Sequence, residues 1–268
     1  MSVLYIDPFL NTYYEDTKEH VEKICQEVHQ SLKLKDNLKF SVAKSSQPGC
    51  KYPDLKNIKA IISLGSYAHV DEKREWFKPL KQYLLKALEK GIPVLGICFT
   101  HQLMGVHYGL KIGKLRDKAG HLRRHGWSHQ RDMLITHPKF RFLLWKQTEE
   151  NFSLLQECIY LTCNWSLEKW EAIFSMEDLR LSGQERRVKQ AVEKHCPVTM
   201  KTFARHFEEL YEDLHQSEIL TVGTSPYCSV DALMHKTLPL VTLQPHPERP
   251  VHTDGSTLIR NFITQALL

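Results

Sequence analysis

The chain has 268 residues, of which 42% are hydrophobic and 25% are charged, a balance typical of a soluble globular protein. It contains no apolar run near the ~20 residues that a membrane-spanning helix needs, and no basic segment of a secretory signal peptide at its start. The net charge of +5 is too small to predict a nucleic-acid partner, and the seven cysteines form no Cys-x-x-Cys pair. We therefore expect a cytoplasmic protein with reduced thiols.

The first third of the chain predicts strands that alternate with helices. The predicted strands are residues 3–6, 40–43, 60–64 and 92–97. The predicted helices are residues 13–32, 72–90 and 99–108. This alternation indicates parallel βαβ units, and hence an α/β fold with a doubly wound, mostly parallel sheet flanked by helices. In such sheets, ligands bind at the carboxyl ends of the strands.

The middle of the chain changes character, because its pattern becomes helical from residue 138 to 216. The predicted helices are residues 148–160, 166–174, 184–195 and 199–215. Strands resume at 219–222, 230–235 and 238–243, and a last helix is predicted at 258–268. We therefore predict one domain over 1–268 with a helical insertion at 138–216, which is longer than an ordinary loop and is expected to act as a lid, a docking element or a specificity element.

Two motifs predict a nucleophile and its base. The strand 92–97 stops at Cys98, and a cysteine on a sharp strand-to-helix turn projects from the sheet at a helix N-terminus that favours the thiolate. His246 and Glu248 directly follow the strand 238–243, and they supply a base and a carboxylate to orient it. These residues predict thiol-dependent acyl transfer, and an inert buried thiol is the alternative reading of Cys98.

Both motifs resemble those of the class I (triad-type) glutamine amidotransferases. Residues 96–102 read Gly-Ile-Cys-Phe-Thr-His-Gln, against Gly-x-Cys-x-Gly-His-Gln in the family, and residues 244–248 read Gln-Pro-His-Pro-Glu, against Gln-x-His-Pro-Glu. Residues 63–67 (Ser-Leu-Gly-Ser-Tyr) stand where the family has its oxyanion turn. The likeness covers roughly 1–137 and 217–268, and it departs from the family at Thr100, where the elbow has its second glycine.

The resemblance implies a role for each matching residue. The implied catalytic residues are Cys98 as nucleophile, His246 as base and Glu248 as the group that orients it. The implied oxyanion hole comprises Gly65, Ser66 and Phe99. The implied substrate-binding residues are Gln102, Thr100 and His101. Because a β-branched side chain is bulkier than glycine, Thr100 is predicted to crowd the turn or reshape the acyl pocket.

The function implied is hydrolysis of the γ-amide of glutamine, or of a γ-glutamyl compound, through a Cys98 thioester and without a cofactor. The chain has no phosphate-binding loop of the Gly-x4-Gly-Lys-Ser/Thr type, so any ammonia-using acceptor or synthetase is a separate chain, or the reaction is simple hydrolysis. Two other functions stay open at this point. One is a non-catalytic or partner-gated regulatory or binding module on the same scaffold, and the other is a cysteine peptidase on a related one.

Two further patterns lie between residues 111 and 131. His121, His125 and His129 have helical spacing, but Gly120 and Gly126 argue against a helix, so no metal site is predicted. The same segment is rich in lysine and arginine, which is typical of a solvated surface; the alternative is contact with an anionic partner or substrate at the rim of the active site.

Overall fold

The computed structural model describes residues 1–9, 15–114, 127–148, 151–161, 167–206, 208–211, 218–226, 228–250 and 253–268. Its strands are β1 (Ser2–Asp7), β2 (Lys39–Lys44), β3 (Ile58–Ser63), β4 (Val94–Ile97), β5 (Lys111–Lys114), β6 (Trp127–Ile135), β7 (Thr199–His206), β8 (Glu208–Tyr211), β9 (Ile219–Ser225), β10 (Cys228–His235) and β11 (Leu240–Leu243). Its α-helices are α1 (Glu15–Ser31), α2 (Phe77–Glu89), α3 (Phe99–His107), α4 (Pro138–Phe142), α5 (Phe152–Leu161), α6 (Leu167–Ser175), α7 (Gly183–His195) and α8 (Thr253–Leu267).

One large sheet organises the described residues, with the strand order β2-β1-β3-β4-β11-β10-β9-β6-β7. The half from β2 to β11 is parallel, as the alternation of strands and helices predicts. The other half, from β10 to β7, is antiparallel. A second, two-stranded antiparallel sheet joins β5 to β8. The α/β prediction is confirmed.

Helices cover both faces of the parallel strands. On β1, Val3 and Tyr5 pack in the core that contains α1 and α8, whereas Leu4 and Ile6 face the core that contains α2 and α3. All four side chains are at most 1% exposed. A strand buried on both faces reads as a continuous apolar run, which is why the first strands are visible in the sequence.

The segment between β6 and β7 contains α4 to α7 and a separate apolar core around Trp145 and Trp170. β6 and β7 are hydrogen-bonded neighbours whose register pairs Leu134 with Thr199, so this helical segment is an excursion from a β-hairpin. Its identity as an insertion relative to the family stays a prediction.

The predicted helix at 199–215 is wrong over its described residues, which are 199–206 and 208–211. Residues 199–206 form β7 and residues 208–211 form β8. Met200 and Thr202 are buried while Lys201 is exposed, which is the two-residue period of a strand. These residues form strands because β7 pairs with β6 and β8 pairs with β5, and the sequence analysis predicted neither partner strand.

Three observations concern expectations beyond the sheet. His121, His125 and most of the basic segment lie outside the described residues. In the part of the chain that the structure describes, no group of three or more His, Cys, Asp or Glu side chains is placed to hold a metal ion. Within the same part, no helix has both the length and the apolar character to cross a bilayer.

Candidate active site

Cys98 lies on a sharp turn between β4 and α3. Its backbone has φ 51° and ψ −101°, a conformation that costs energy in a residue with a side chain and that recurs at catalytic nucleophiles. The Cys98 N–H donates to the Leu243 carbonyl at 2.7 Å, and the Cys98 carbonyl accepts from the Gln102 N–H at 3.0 Å. The strained turn is thus fixed from the neighbouring strand and from the helix that follows.

His246 and Glu248 reach the same place because β11 is the parallel neighbour of β4, with Leu243 beside Ile97. The imidazole Nδ1–H donates to Glu248 Oε1 at 2.7 Å, since a carboxylate only accepts. The imidazole is also a neighbour of the thiol, because His246 Cε1 and Cys98 Sγ lie 3.2 and 3.3 Å from the position of a Cβ built at Gly65. His246 and Glu248 are 5% and 1% exposed, so water does not compete for the bond between them. The structure therefore brings together the three residues predicted to be catalytic.

The charge on His246 is controlled by its two neighbours. Burial on its own lowers the pKa of the imidazole, but the Glu248 carboxylate and the Cys98 sulfur raise it by charge and by hydrogen bonding. The net effect is a pKa above the usual value for histidine. His246 is therefore suited to accept and hold a proton at this position.

Gly65, just beyond the end of β3, lies directly against this pair. A Cβ built at Gly65 would stand 2.9 Å from Cys98 Cβ, 3.2 Å from His246 Cε1 and 3.3 Å from Cys98 Sγ. Only a glycine leaves enough space at that position. Ser66 holds the turn in place, because its hydroxyl donates to the Pro8 carbonyl at 3.3 Å and accepts from the Ala68 N–H at 3.2 Å.

Phe99 directly follows Cys98 as the first residue of α3. The N–H groups of a first helical turn have no acceptor within the helix, so this amide is oriented for an outside acceptor. Its ring packs against Trp76 and Phe77, with centroids 5.1 and 4.8 Å away. Gly65 and Phe99 are therefore both adjacent to Cys98, the first in space and the second in the chain, and their role as oxyanion donors stays a prediction.

Gln244 is a site residue to which the sequence motifs assign no role. Its amide Nε2 lies 3.7 Å from Cys98 Sγ and its Oε1 accepts from Gln102 Nε2 at 3.0 Å. Its position could have indicated this role, because Gln244 is the first residue after β11 and stands two residues before His246. Gln102, predicted to bind substrate, is therefore joined to the nucleophile through Gln244.

His101 and Thr100, which are predicted to bind substrate, are buried and bonded to other parts of the protein. His101 is 0% exposed; its Nε2–H donates to the Val230 carbonyl at 3.1 Å, and its Nδ1 lies 2.9 Å from Thr242 Oγ1. Thr100 is also 0% exposed and its hydroxyl bonds to the end of β3. These bonds attach α3 to neighbouring strands, and the contact of both residues with substrate stays a prediction.

The expected crowding by Thr100 is relieved by Gly96. A Cβ at Gly96 would lie 2.8 Å from Thr100 Cγ2, so the absent side chain provides the space that the threonine methyl uses. The elbow keeps its sharp turn with the larger residue in place.

Comparisons with known proteins identify the family and the fold of this chain. The family model for "Glutamine amidotransferase class-I" matches residues 23–266. A glutamine-hydrolysing GMP synthase subunit from Methanocaldococcus jannaschii is 23% identical over 236 residues, which are 88% of each chain. The crystal structure of a putative GMP synthase subunit from Thermoplasma acidophilum has a similar fold, with TM-score 0.58, 16% identity and coverage of 100% of this chain and 94% of that one. The glutaminase domain of Trypanosoma brucei CTPS with bound acivicin gives TM-score 0.54, 15% identity and the same coverage.

Proposed function

This chain belongs to the class-I glutamine amidotransferase family, and from that premise we propose that Cys98, His246 and Glu248 hydrolyse the side-chain amide of glutamine through a thioester. The observation that carries the proposal is the buried arrangement around one sulfur: the His246 imidazole and the Cys98 thiol lie together against the glycine turn, and His246 is bonded to Glu248 at 2.7 Å.

In the first step, His246 takes the proton of the Cys98 thiol and the sulfur attacks the carboxamide carbon. The electron pair of the carbonyl moves to its oxygen, which becomes an oxyanion. The N–H groups of Gly65 and Phe99 stabilise that charge, and in other enzymes the loss of one such donor slows the reaction by ~100–1000-fold. Glu248 keeps the imidazole in the tautomer whose Nε2 accepts the proton.

In the second step, the His246 imidazolium returns its proton to the amine, and the C–N bond breaks to release ammonia. A γ-glutamyl thioester remains on Cys98. Water then gives a proton to His246 and attacks the thioester carbon, and the thiolate leaves with the proton from His246. Glutamate is released and the thiol is restored.

Gln244 and Gln102 have a supporting role in this proposal. The Gln244 amide donates towards the sulfur at 3.7 Å, and this contact favours the thiolate over the neutral thiol. Gln102 holds the Gln244 amide in that orientation through the 3.0 Å bond between the two side chains. Such a chain of amides also leaves Gln102 beside the acyl site, where the family resemblance assigns it to the amino-acid end of the substrate.

We further propose that the ammonia passes to a separate synthetase chain. The support comes from the relative that is named as one subunit of a glutamine-hydrolysing GMP synthase, because a subunit name implies a second chain. The alternative is hydrolysis of another γ-glutamyl compound, and the experiment must distinguish it from hydrolysis of glutamine.

The test is glutamate release from glutamine and from a panel of γ-glutamyl amides, comparing wild type with Cys98→Ala. A Cys25→Ala variant is the matched control, since Cys25 is also a buried thiol but lies on α1. We expect release from glutamine by wild type and Cys25→Ala and none by Cys98→Ala. Activity that survives in Cys98→Ala contradicts the mechanism. A preference for another γ-glutamyl amide of the panel contradicts the assignment of glutamine as the substrate.

A further inference from the structure

Beneath the elbow, two hydroxyl groups connect α3 to the end of β3. Thr100 Oγ1 lies 2.8 Å from Ser63 Oγ and donates to the Leu64 carbonyl at 2.9 Å. Ser63, Leu64 and Thr100 are all 0% exposed. No solvent reaches these bonds, so each hydroxyl must find its partners within the protein.

The direction of this chain of bonds is determined by its last acceptor. A carbonyl oxygen only accepts hydrogen bonds. Thr100 therefore donates its single hydroxyl proton to the Leu64 carbonyl. The bond between the two hydroxyls is therefore donated by Ser63. Each bond polarises the next, and the chain ends on one backbone carbonyl.

That carbonyl belongs to the peptide group that also carries the Gly65 N–H. The described residues contain no cis peptide bond, so the Leu64 carbonyl and the Gly65 N–H point to opposite sides of one planar unit. Glycine tolerates more backbone conformations than other residues, and a peptide next to it rotates at low cost. The bond from Thr100 opposes such a rotation, because it would leave a buried hydroxyl without its acceptor.

The residue before this peptide is also held. The Leu64 N–H donates to the Ile6 carbonyl on β1 at 3.0 Å. With the Leu64 amide bonded to β1 and its carbonyl bonded to α3, the peptide between Leu64 and Gly65 has one orientation relative to Cys98. Glycine, the family residue at position 100, has no hydroxyl for the second of these bonds.

We propose that Thr100 is a positioning residue that fixes the Gly65 N–H as an oxyanion donor. This inference rests on the proposed function, because it concerns the oxyanion of that reaction. It follows that the free chain has its oxyanion turn set and needs no partner chain to align it.

The experiment compares Thr100→Val, which keeps the shape and removes the hydroxyl, with Thr100→Ser, which keeps the hydroxyl. Thr264→Val is the matched control: this threonine is 1% exposed and donates to a carbonyl at 2.8 Å, but it lies on α8. Two rates are measured for the free chain, glutamate release from glutamine and alkylation of Cys98 by iodoacetamide. Alkylation displaces iodide at a saturated carbon and forms no oxyanion, so it reports the nucleophile alone.

For Thr100→Val we expect kcat to fall by about 10- to 100-fold, less than for a donor removed altogether, with KM changed less than about 3-fold. Alkylation stays at the wild-type rate, and Thr100→Ser and Thr264→Val keep kcat within about 3-fold of wild type. Should Thr100→Val fail to fold, Ser63→Ala serves instead, with a decrease in kcat of about 10-fold, outside the range allowed for the controls, and unchanged alkylation.

The proposal is overturned if Thr100→Val keeps the wild-type kcat, if alkylation falls in parallel with kcat, or if Thr264→Val loses as much activity. Glutamate release that persists in Cys98→Ala overturns the proposed function instead, whereas wild type that alkylates at Cys98 but releases no glutamate contradicts an oxyanion turn that is already set in the free chain. The two failures are therefore distinguishable in one set of measurements.

Discussion

The Cys98 N–H donates to the Leu243 carbonyl at 2.7 Å, which joins two residues that are far apart in the chain. This bond continues the parallel pairing of β4 with β11 by one residue, past the pair Ile97 and Leu243. The nucleophile therefore begins where one strand ends, and the segment that carries His246 begins where its neighbour ends. The catalytic geometry is a consequence of strand adjacency, since both segments leave the sheet at the same edge.

Gly65→Ala is expected to reduce kcat/KM for glutamine by about 100-fold or more, equivalent to ~2.7 kcal/mol. The new Cβ would lie 2.9 Å from Cys98 Cβ, and either the turn or the nucleophile must move. Gly183→Ala is the control, because a Cβ there meets nothing within 4 Å. Steady-state kinetics of both variants check the prediction, and equal activities would contradict it.

Glu248→Gln is expected to lower kcat by about 100- to 10,000-fold while the fold is kept, because the amide is nearly isosteric with the carboxylate. The substitution removes the negative charge next to His246 and lets the side chain donate as well as accept. The imidazole then loses its defined tautomer and part of the support for its protonated form. Kinetics together with a circular dichroism spectrum identical to that of wild type test this; an unchanged kcat would exclude Glu248 from the catalytic set.

The raised pKa of His246 predicts how stability depends on pH. Below pH 6.5, the usual value for histidine, the imidazole is protonated in both folded and unfolded chains and its favourable contacts contribute fully. As pH rises above 6.5, the unfolded chain loses this proton first, so the contribution declines until the folded pKa is passed. We expect the stability difference between wild type and Glu248→Gln, measured by urea unfolding, to be largest below pH 6.5 and to decrease above it. A difference that grows with pH has the opposite sign and contradicts the assignment.

Gln244→Glu is expected to slow alkylation of Cys98 at neutral pH by about 10-fold, because a carboxylate near the sulfur opposes the thiolate. The new side chain still accepts from Gln102 but has no N–H for Cys98 Sγ. Gln26→Glu adds the same charge at an exposed position on α1 and is expected to change nothing. Equal alkylation rates in the two variants would show that Gln244 does not act on the nucleophile.

The parts of the site that sequence predicted are those determined by short segments. An apolar run that stops at Cys98, and another that stops before His246, indicate strand ends, and parallel strand ends share one edge. The contact of Gln244 with Cys98 and the bond of Thr100 to Leu64 depend instead on how separate strands pack, which no local pattern contains.

The error at residues 199–215 has a similar origin. The segment has apolar residues at spacings that also suit a helix, and its strand pairing with β6 involves a segment that precedes the whole helical excursion. Local periodicity does not decide between the two structures; the partner strand does.

The central claim is tested most directly by trapping the thioester. Wild type mixed with glutamine is quenched in acid within the first turnover, and the digested chain is mapped by mass spectrometry. The account predicts a γ-glutamyl group on the peptide that contains Cys98, and none in Cys98→Ala. Glutamate release with no adduct on Cys98, or with an adduct on another cysteine, would contradict it.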